Sequence, residues 1–105
     1  MTVAAYLALE PQRFSWLVRL EVREVGCRVD LDLEFRDEGS GRLVVNCEDV
    51  RNLVFKQPWT TDMRLDSLDI TDVRSRQMEG IAYSVTDVEQ EWLSFTAATF
   101  SAQAC

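Results

Sequence analysis

Alternate carboxylates form the most conspicuous chemical pattern of this sequence, at Asp30-x-Asp32-x-Glu34. On a strand, side chains two residues apart project to the same face and stand about 6–7 Å from each other. A calcium loop would also need Gly at its sixth position and Glu at its twelfth, where this sequence has Phe35 and Gly41. The run therefore predicts a solvated strand face that a basic partner could contact, and it predicts no metal site.

Histidine is absent from the 105 residues, which excludes imidazole bases, imidazole metal ligands and triads built on His. The three cysteines, at 27, 47 and 105, are odd in number and form no C-x-x-C pair. This count argues against a disulfide framework and a zinc site, and it favours a reducing compartment. We expect Cys27 and Cys47 to pack as small hydrophobic residues, Cys105 to be exposed, and the protein to need no cofactor.

A second group of acids, at 62, 66, 69 and 72, leaves a carboxylate-based hydrolase as a weak alternative. Nothing in the sequence marks one of these carboxyls as buried with a raised pKa, as a general acid would require. The run Glu38–Arg42 has two glycines but no following Lys-Ser or Lys-Thr, so it predicts a hairpin turn and no phosphate loop. The sequence thus favours a protein that is not an enzyme.

Large aromatic residues supply the candidate anchors for a protein partner. Trp59 follows Pro58 in a polar loop, and Trp92 lies on the strand face opposite Leu93. We expect these two tryptophans, with the acids at 30, 32 and 34, to contact a partner. Trp16 alternates with apolar residues, which predicts that it is buried.

Strict alternation of apolar and polar residues predicts the elements that position these side chains. Two strands, 14–22 and 29–35, should form a long hairpin that turns near Gly26. One register places Arg23 opposite Asp30 and Arg19 opposite Glu34.

Further strands should follow at intervals of about ten residues. This spacing predicts a single all-β domain over 1–105 with little helix. Its architecture should be an antiparallel sandwich or a flattened barrel of about seven strands. Residues 1–13 would be a lead-in, 92–100 a single strand and 101–105 a tail. Residues 62–76 could be strand or helix, and their β-branched content favours a strand with a bulge. The expected core is Trp16, Val18, Leu20, Leu31, Leu33, Phe35, Tyr83, Val85, Leu93 and Phe95.

The formal net charge of −7 disfavours nucleic acid and anionic membranes and suits a protein partner with a basic surface. Residues 1–9 lack the basic start of a signal peptide, and no segment reaches the length of a membrane span. We therefore expect a cytoplasmic location.

Two stretches, Leu43–Leu53 and Gly80–Glu89 closed by Leu93-Ser94-Phe95, resemble small bacterial β-rich proteins, some of which occur as immunity proteins beside toxins. The resemblance covers about half the chain and carries over no individual site residue. It implies a non-enzymatic protein that binds or blocks another protein. A self-associating structural β protein, such as a homodimer paired through strand edges, is the alternative.

Overall fold

The structure is a computed structural model that describes residues 1–56, 68–74, 82–87 and 92–105, with the backbone of 63–64. Its elements are a helix α1 (Val3–Leu7), a 3-10 turn (Pro11–Arg13) and the strands β1 (Trp16–Val25), β2 (Arg28–Arg36), β3 (Arg42–Glu48), β4 (Arg51–Phe55), β5 (Met63–Arg64), β6 (Leu68–Asp72), β7 (Tyr83–Asp87), β8 (Leu93–Ala97) and β9 (Thr99–Ala104).

The strands form two antiparallel sheets, in the orders β5-β1-β2-β3-β9 and β4-β8-β7-β6. Apolar residues at every second position of the strands face the space between the sheets, so that each sheet buries one face. The predicted all-β sandwich is confirmed. Residues 68–72 are strand, as their β-branched content favoured.

The β1–β2 hairpin forms in the predicted register, with Arg23 opposite Asp30 and Arg19 opposite Glu34. Val25 and Arg28 close a two-residue turn in which Gly26 has a φ of 64°. A positive φ at the first central position is what a type II′ turn needs, and glycine adopts it without strain. The turn thereby fixes which residues of β2 face the core.

A bulge in β1 overturns part of the expected core. The register slips between Leu17 and Arg19, which adds one residue to β1 and inverts the facing of the residues before it. Leu17 is therefore buried, while Trp16, Val18 and Leu20 are only half-buried. The prediction was therefore wrong for Trp16 and Val18, because strict alternation cannot detect an inserted residue. Leu20, which follows the bulge and lies opposite the buried Leu33, packs against the core with part of its side chain exposed.

The remaining seven expected core residues are confirmed. They lie with further apolar side chains in one cluster between the sheets, which comprises Tyr6, Phe14, Leu17, Leu31, Leu33, Phe35, Leu43, Val45, Cys47, Val50, Leu68, Ile70, Tyr83, Val85, Leu93, Phe95, Ala97, Phe100 and Ala102.

The segment expected to be one strand over 92–100 followed by a tail is instead two strands in different sheets. β8 ends at Ala97 and pairs with β7, and β9 begins at Thr99 and pairs with β3. Between them, the backbone N–H of Ala98 donates to the carbonyl of Glu48 at 3.0 Å. The change of sheet buries Phe100 and Ala102, so residues 101–104 belong to the core structure and are not a tail.

The start of the chain contacts the second sheet through two tyrosines. In α1, whose N-cap is Thr2, the buried Tyr6 donates its hydroxyl to the carbonyl of Leu68 at 2.9 Å. The hydroxyl of Tyr83 donates to the carbonyl of Met1 at 3.3 Å. No helix within the described residues is long and apolar enough to cross a membrane.

Candidate protein-binding site

The acids of β2 lie on the outer face of the first sheet, but two of them are not solvated. Asp30 is 3% exposed and Asp32 is 8% exposed. The prediction of a solvated strand face was therefore wrong for both residues. Arg23 from β1, Arg28 from the start of β2 and Asn46 from β3 contact their carboxylates and cover them.

Asp32 accepts hydrogen bonds from two neighbouring strands. Asn46 Nδ2 on β3 donates at 2.6 Å, and Arg23 Nη2 on β1 donates at 3.2 Å, with Arg23 Nε 2.8 Å from the same carboxylate. Burial raises the pKa of the Asp32 carboxyl, but the hydrogen bonds from Asn46 and Arg23 and the charge of Arg23 outweigh it and hold the pKa below its ordinary value. Asp32 is therefore an anion with internal partners.

Asp30 is held in a similar way near the hairpin turn. Arg28 Nε lies 3.2 Å from its carboxylate, and the backbone N–H of Asp49 donates to it at 3.1 Å. Asp49 has a φ of 54°, and this hydrogen bond accompanies the sharp bend after β3. Arg28 also reaches Glu48 at 3.3 Å, so that one guanidinium bridges two strands.

Glu34 completes the row, with Arg36 at 3.3 Å and Arg42 at 3.8 Å. The ion-paired side chains of this face are called the charged layer below, and they are Arg19, Glu21, Arg23, Arg28, Asp30, Asp32, Glu34, Arg36, Arg42 and Glu48. Its arginines remain about half exposed and can contact a partner, whereas the three β2 acids already bind cations of their own chain.

At one end of the charged layer lies a groove of about 390 Å³, lined by Trp16, Val18, Arg36, Asp37 and Glu38. We call it the Trp16 groove. The β1 bulge positions it, because the inverted facing takes Trp16 out of the core and into this lining. Arg36 is ion-paired with Glu34, so the charge of the lining is dominated by Asp37 and Glu38.

The turn between β2 and β3 gives this groove a fixed acidic rim. Asp37 Oδ1 accepts from the backbone N–H groups of Gly39 at 2.8 Å and Gly41 at 3.0 Å, as Asp does in turns. The next residue, Glu38, is exposed, and no ion pair holds its carboxylate within the described part of the chain. An indole beside carboxylates is a suitable environment for a cationic side chain.

The comparisons with known proteins decide the family. The family model for immunity protein PIM8 matches residues 3–103, nearly the whole chain. The chain belongs to the immunity protein PIM8 family. No curated protein and no solved structure matches it. Membership supports an immunity-type role that is exercised by binding a protein partner.

For this PIM8 family member, Trp92, one of the two tryptophans that the sequence favoured as anchors, does not line the Trp16 groove. Trp92 is half-buried and packs against the core between the sheets, and its carbonyl accepts the backbone N–H of Lys56 at 2.7 Å. Trp59 lies outside the described residues, as do Asp62 and Asp66 of the second acidic group. The part of Trp59 and Trp92 in partner binding stays a prediction.

Sequence reasoning missed Trp16 as a candidate contact because it assigned this residue to the core. A signal was present in Phe14-Ser15-Trp16-Leu17-Val18, where Leu17 breaks the alternation and four of five residues are apolar. In such a run, either set of alternate residues could face the core, and only the pairing with β2 determines which set does.

The cysteines divide by burial. Cys47 faces the core and is 1% exposed, as expected, and burial raises its pKa to about 12. Cys105 is exposed, also as expected. Cys27 is exposed in the hairpin turn, so the prediction that it packs as a core residue was wrong.

Proposed function

We propose that the chain neutralises a protein toxin by stoichiometric, non-enzymatic binding, and that the Trp16 groove receives a basic side chain of that partner. The observation that carries the proposal is the half-buried indole of Trp16 beside the acidic rim of Asp37 and Glu38, in a chain of the immunity protein PIM8 family. Removal of water from an indole on binding contributes short-range affinity, and the negative charge of the rim favours a positively charged partner.

The net charge of −7 supports a basic partner over nucleic acid or an anionic membrane, because both of these are themselves negative. Charge of one sign also speeds the encounter with a partner of the other sign. The association rate should therefore fall as salt rises, since ions screen this attraction over about 10 Å at 0.1 M.

A carboxylate-based hydrolase is less well supported, because Asp69 and Asp72, the described members of the second acidic group, are exposed, and the β2 acids are no better suited. A general acid needs a carboxyl whose pKa is raised towards neutrality, whereas the pKa of Asp32 is lowered. Asp30 and Asp32 are also covered by Arg28 and Arg23. A cytoplasmic location is part of the proposal, because the exposed thiols of Cys27 and Cys105 suit a reducing compartment.

The test starts by isolating the partner with tagged chain from the source cell and then measures its affinity for variants of the groove by calorimetry. Trp16→Ala should weaken binding at least about tenfold, or about 1.4 kcal/mol, and Trp16→Phe should weaken it less. Glu38→Gln should also reduce the salt dependence of the association rate. Asp69→Asn is the control, because Asp69 is exposed on the other sheet.

Two results would contradict the proposal. Affinity unchanged in both Trp16→Ala and Glu38→Gln would move the contact away from the groove. Inactivation of many partner molecules by one chain would show catalysis instead of stoichiometric binding. Circular dichroism of each variant, compared with the parent, establishes that a loss of affinity is not a loss of fold.

A further inference from the structure

In the part of the chain that the structure describes, one edge of the first sheet has a neighbouring strand only at the start of β1. The short strand β5 pairs only with Trp16 and Leu17, while β1 continues to Val25. Among the described residues, no strand pairs with this edge beyond Leu17. Val22 is 50% exposed and Val25 is 41% exposed on this part of the hairpin, so the edge carries apolar surface together with backbone polar groups.

The hairpin turn determines which backbone groups this edge presents. In a hairpin with a two-residue turn, the flanking residues, here Val25 and Arg28, exchange hydrogen bonds. Hydrogen bonding to β2 then recurs at every second residue, at Arg23 and at Glu21. The N–H and C=O groups of the intervening residues, Val22 and Glu24, point away from β2 and towards this edge.

We propose that the partner at this edge is a second copy of the chain, whose β1 pairs antiparallel about a two-fold axis at Val22. The two Val22 residues would then exchange backbone hydrogen bonds. Glu21 would face Arg23 of the partner subunit on the outer face, and the same pair would repeat across the axis. Opposite charges directly across a pair of strands are stabilising.

The charges of β1 select this register over the adjacent one. A two-fold axis at Glu21 would place Glu21 against its own copy and Arg19 against the partner subunit's Arg23, so that each of these charged pairs is repulsive. In the Val22 register, Arg23 keeps its ion pair with Asp32 at 2.8 Å and also faces the carboxylate of Glu21 of the partner subunit. Charged side chains protect sheet edges against indiscriminate pairing, and here their order favours the Val22 alignment over the one centred on Glu21.

The dimer joins the two first sheets into one continuous sheet and leaves both Trp16 grooves on its outer face. The inference does not rest on the proposed function, because it is drawn from the edge of β1 alone. A dimer could form whether or not the groove binds a toxin, and the two tests use different variants.

Sedimentation equilibrium from about 1 µM to about 500 µM tests the proposal. Wild-type chain should shift from monomer to dimer with concentration. Val22→Pro should weaken the dimer at least about tenfold, because proline removes the central N–H. This N–H faces away from β2, so proline is compatible with the hairpin itself. Val22→Thr, which keeps the N–H, is the control.

Charge reversal tests the register. Glu21→Arg and Arg23→Glu should each weaken self-association, and an equimolar mixture of the two variants should form a heterodimer, since both ion pairs form again, one of them with its charges reversed. If Arg23→Glu fails to fold after losing its contact with Asp32, Val22→Pro and Glu21→Arg still decide the question. Wild-type chain that stays monomeric at every concentration would overturn the proposal, and so would a dimer that Val22→Pro leaves intact.

Discussion

The hydrogen bond between Asn46 and Asp32 gives the sharpest test of the charged layer. Asn46 Nδ2 donates to the buried carboxylate at 2.6 Å, and a hydrogen bond to a charged group contributes about 1.5–3 kcal/mol. We expect Asn46→Ala to lower the free energy of unfolding by that amount at pH 7. With a urea m-value of about 1–3 kcal/mol/M, a loss of 2 kcal/mol lowers the midpoint by about 1 M.

The cost should depend on pH with a defined sign. Because folding lowers the pKa of Asp32 below its ordinary value of 3.8, the carboxylate stabilises the fold above that value, and this contribution is lost as the pH falls through the lower folded pKa. Asn46→Ala removes one cause of the lowering. The difference between variant and wild type should therefore shrink as the pH is taken from 7 to about 2.

Two controls complete the measurement by urea unfolding. Gln103→Ala removes an exposed amide from the neighbouring strand β9 and should change stability by less than about 0.5 kcal/mol. In an Asp32→Asn background, the further change Asn46→Ala should cost less than in wild type, because the acceptor is no longer charged. An Asn46→Ala penalty equal to that of Gln103→Ala, or one that is constant with pH, would refute the role assigned to this hydrogen bond.

Two further predictions concern the turn beside the groove and the buried thiol. Gly41→Ala should destabilise the β2–β3 turn, because the added Cβ would lie 2.9 Å from Cγ of Asp37 and closer still to its Oδ2. In the control Gly39→Ala, the added Cβ meets only an ordinary 3.6 Å contact. Equal urea midpoints for the two variants would contradict this prediction. Cys47 should react with a thiol reagent at pH 8 far more slowly than the two exposed cysteines, because its thiol is buried with a pKa of about 12, so a rapid reaction of all three thiols in folded protein would place Cys47 at the surface.

The sequence predicted the fold well where one face is buried and the other is polar. In β2, Leu31, Leu33 and Phe35 alternate with charged residues, and their facing and the hairpin register are both confirmed. Alternation failed where the backbone departs from regular pairing, at the bulge near Trp16 and at the change of sheet at Ala98. The alternation of apolar and polar residues does not by itself locate a bulge or a change of sheet.

The candidate site was harder to predict than the fold because it depends on contacts between distant strands. Asp30 and Asp32 have the sequence appearance of solvated acids, and their burial follows from Arg23, Arg28 and Asn46 reaching over them from β1, the start of β2 and β3. Cross-strand coverage of this kind requires side-chain lengths and register together. The resemblance to immunity proteins was the one functional prediction that the comparisons confirmed.

The pairing of β3 with β9 has a consequence for how fast the chain folds. Strand β3 meets β2 through residues close in sequence, such as Phe35 and Leu43, but it meets β9 through Cys47 and Phe100. Closing so long a loop costs chain entropy before any contact compensates for it. The β1–β2–β3 meander should therefore form first, and the sandwich should close over milliseconds to seconds, as in other all-β domains. Newly made chains would therefore be able to bind a partner only after that delay.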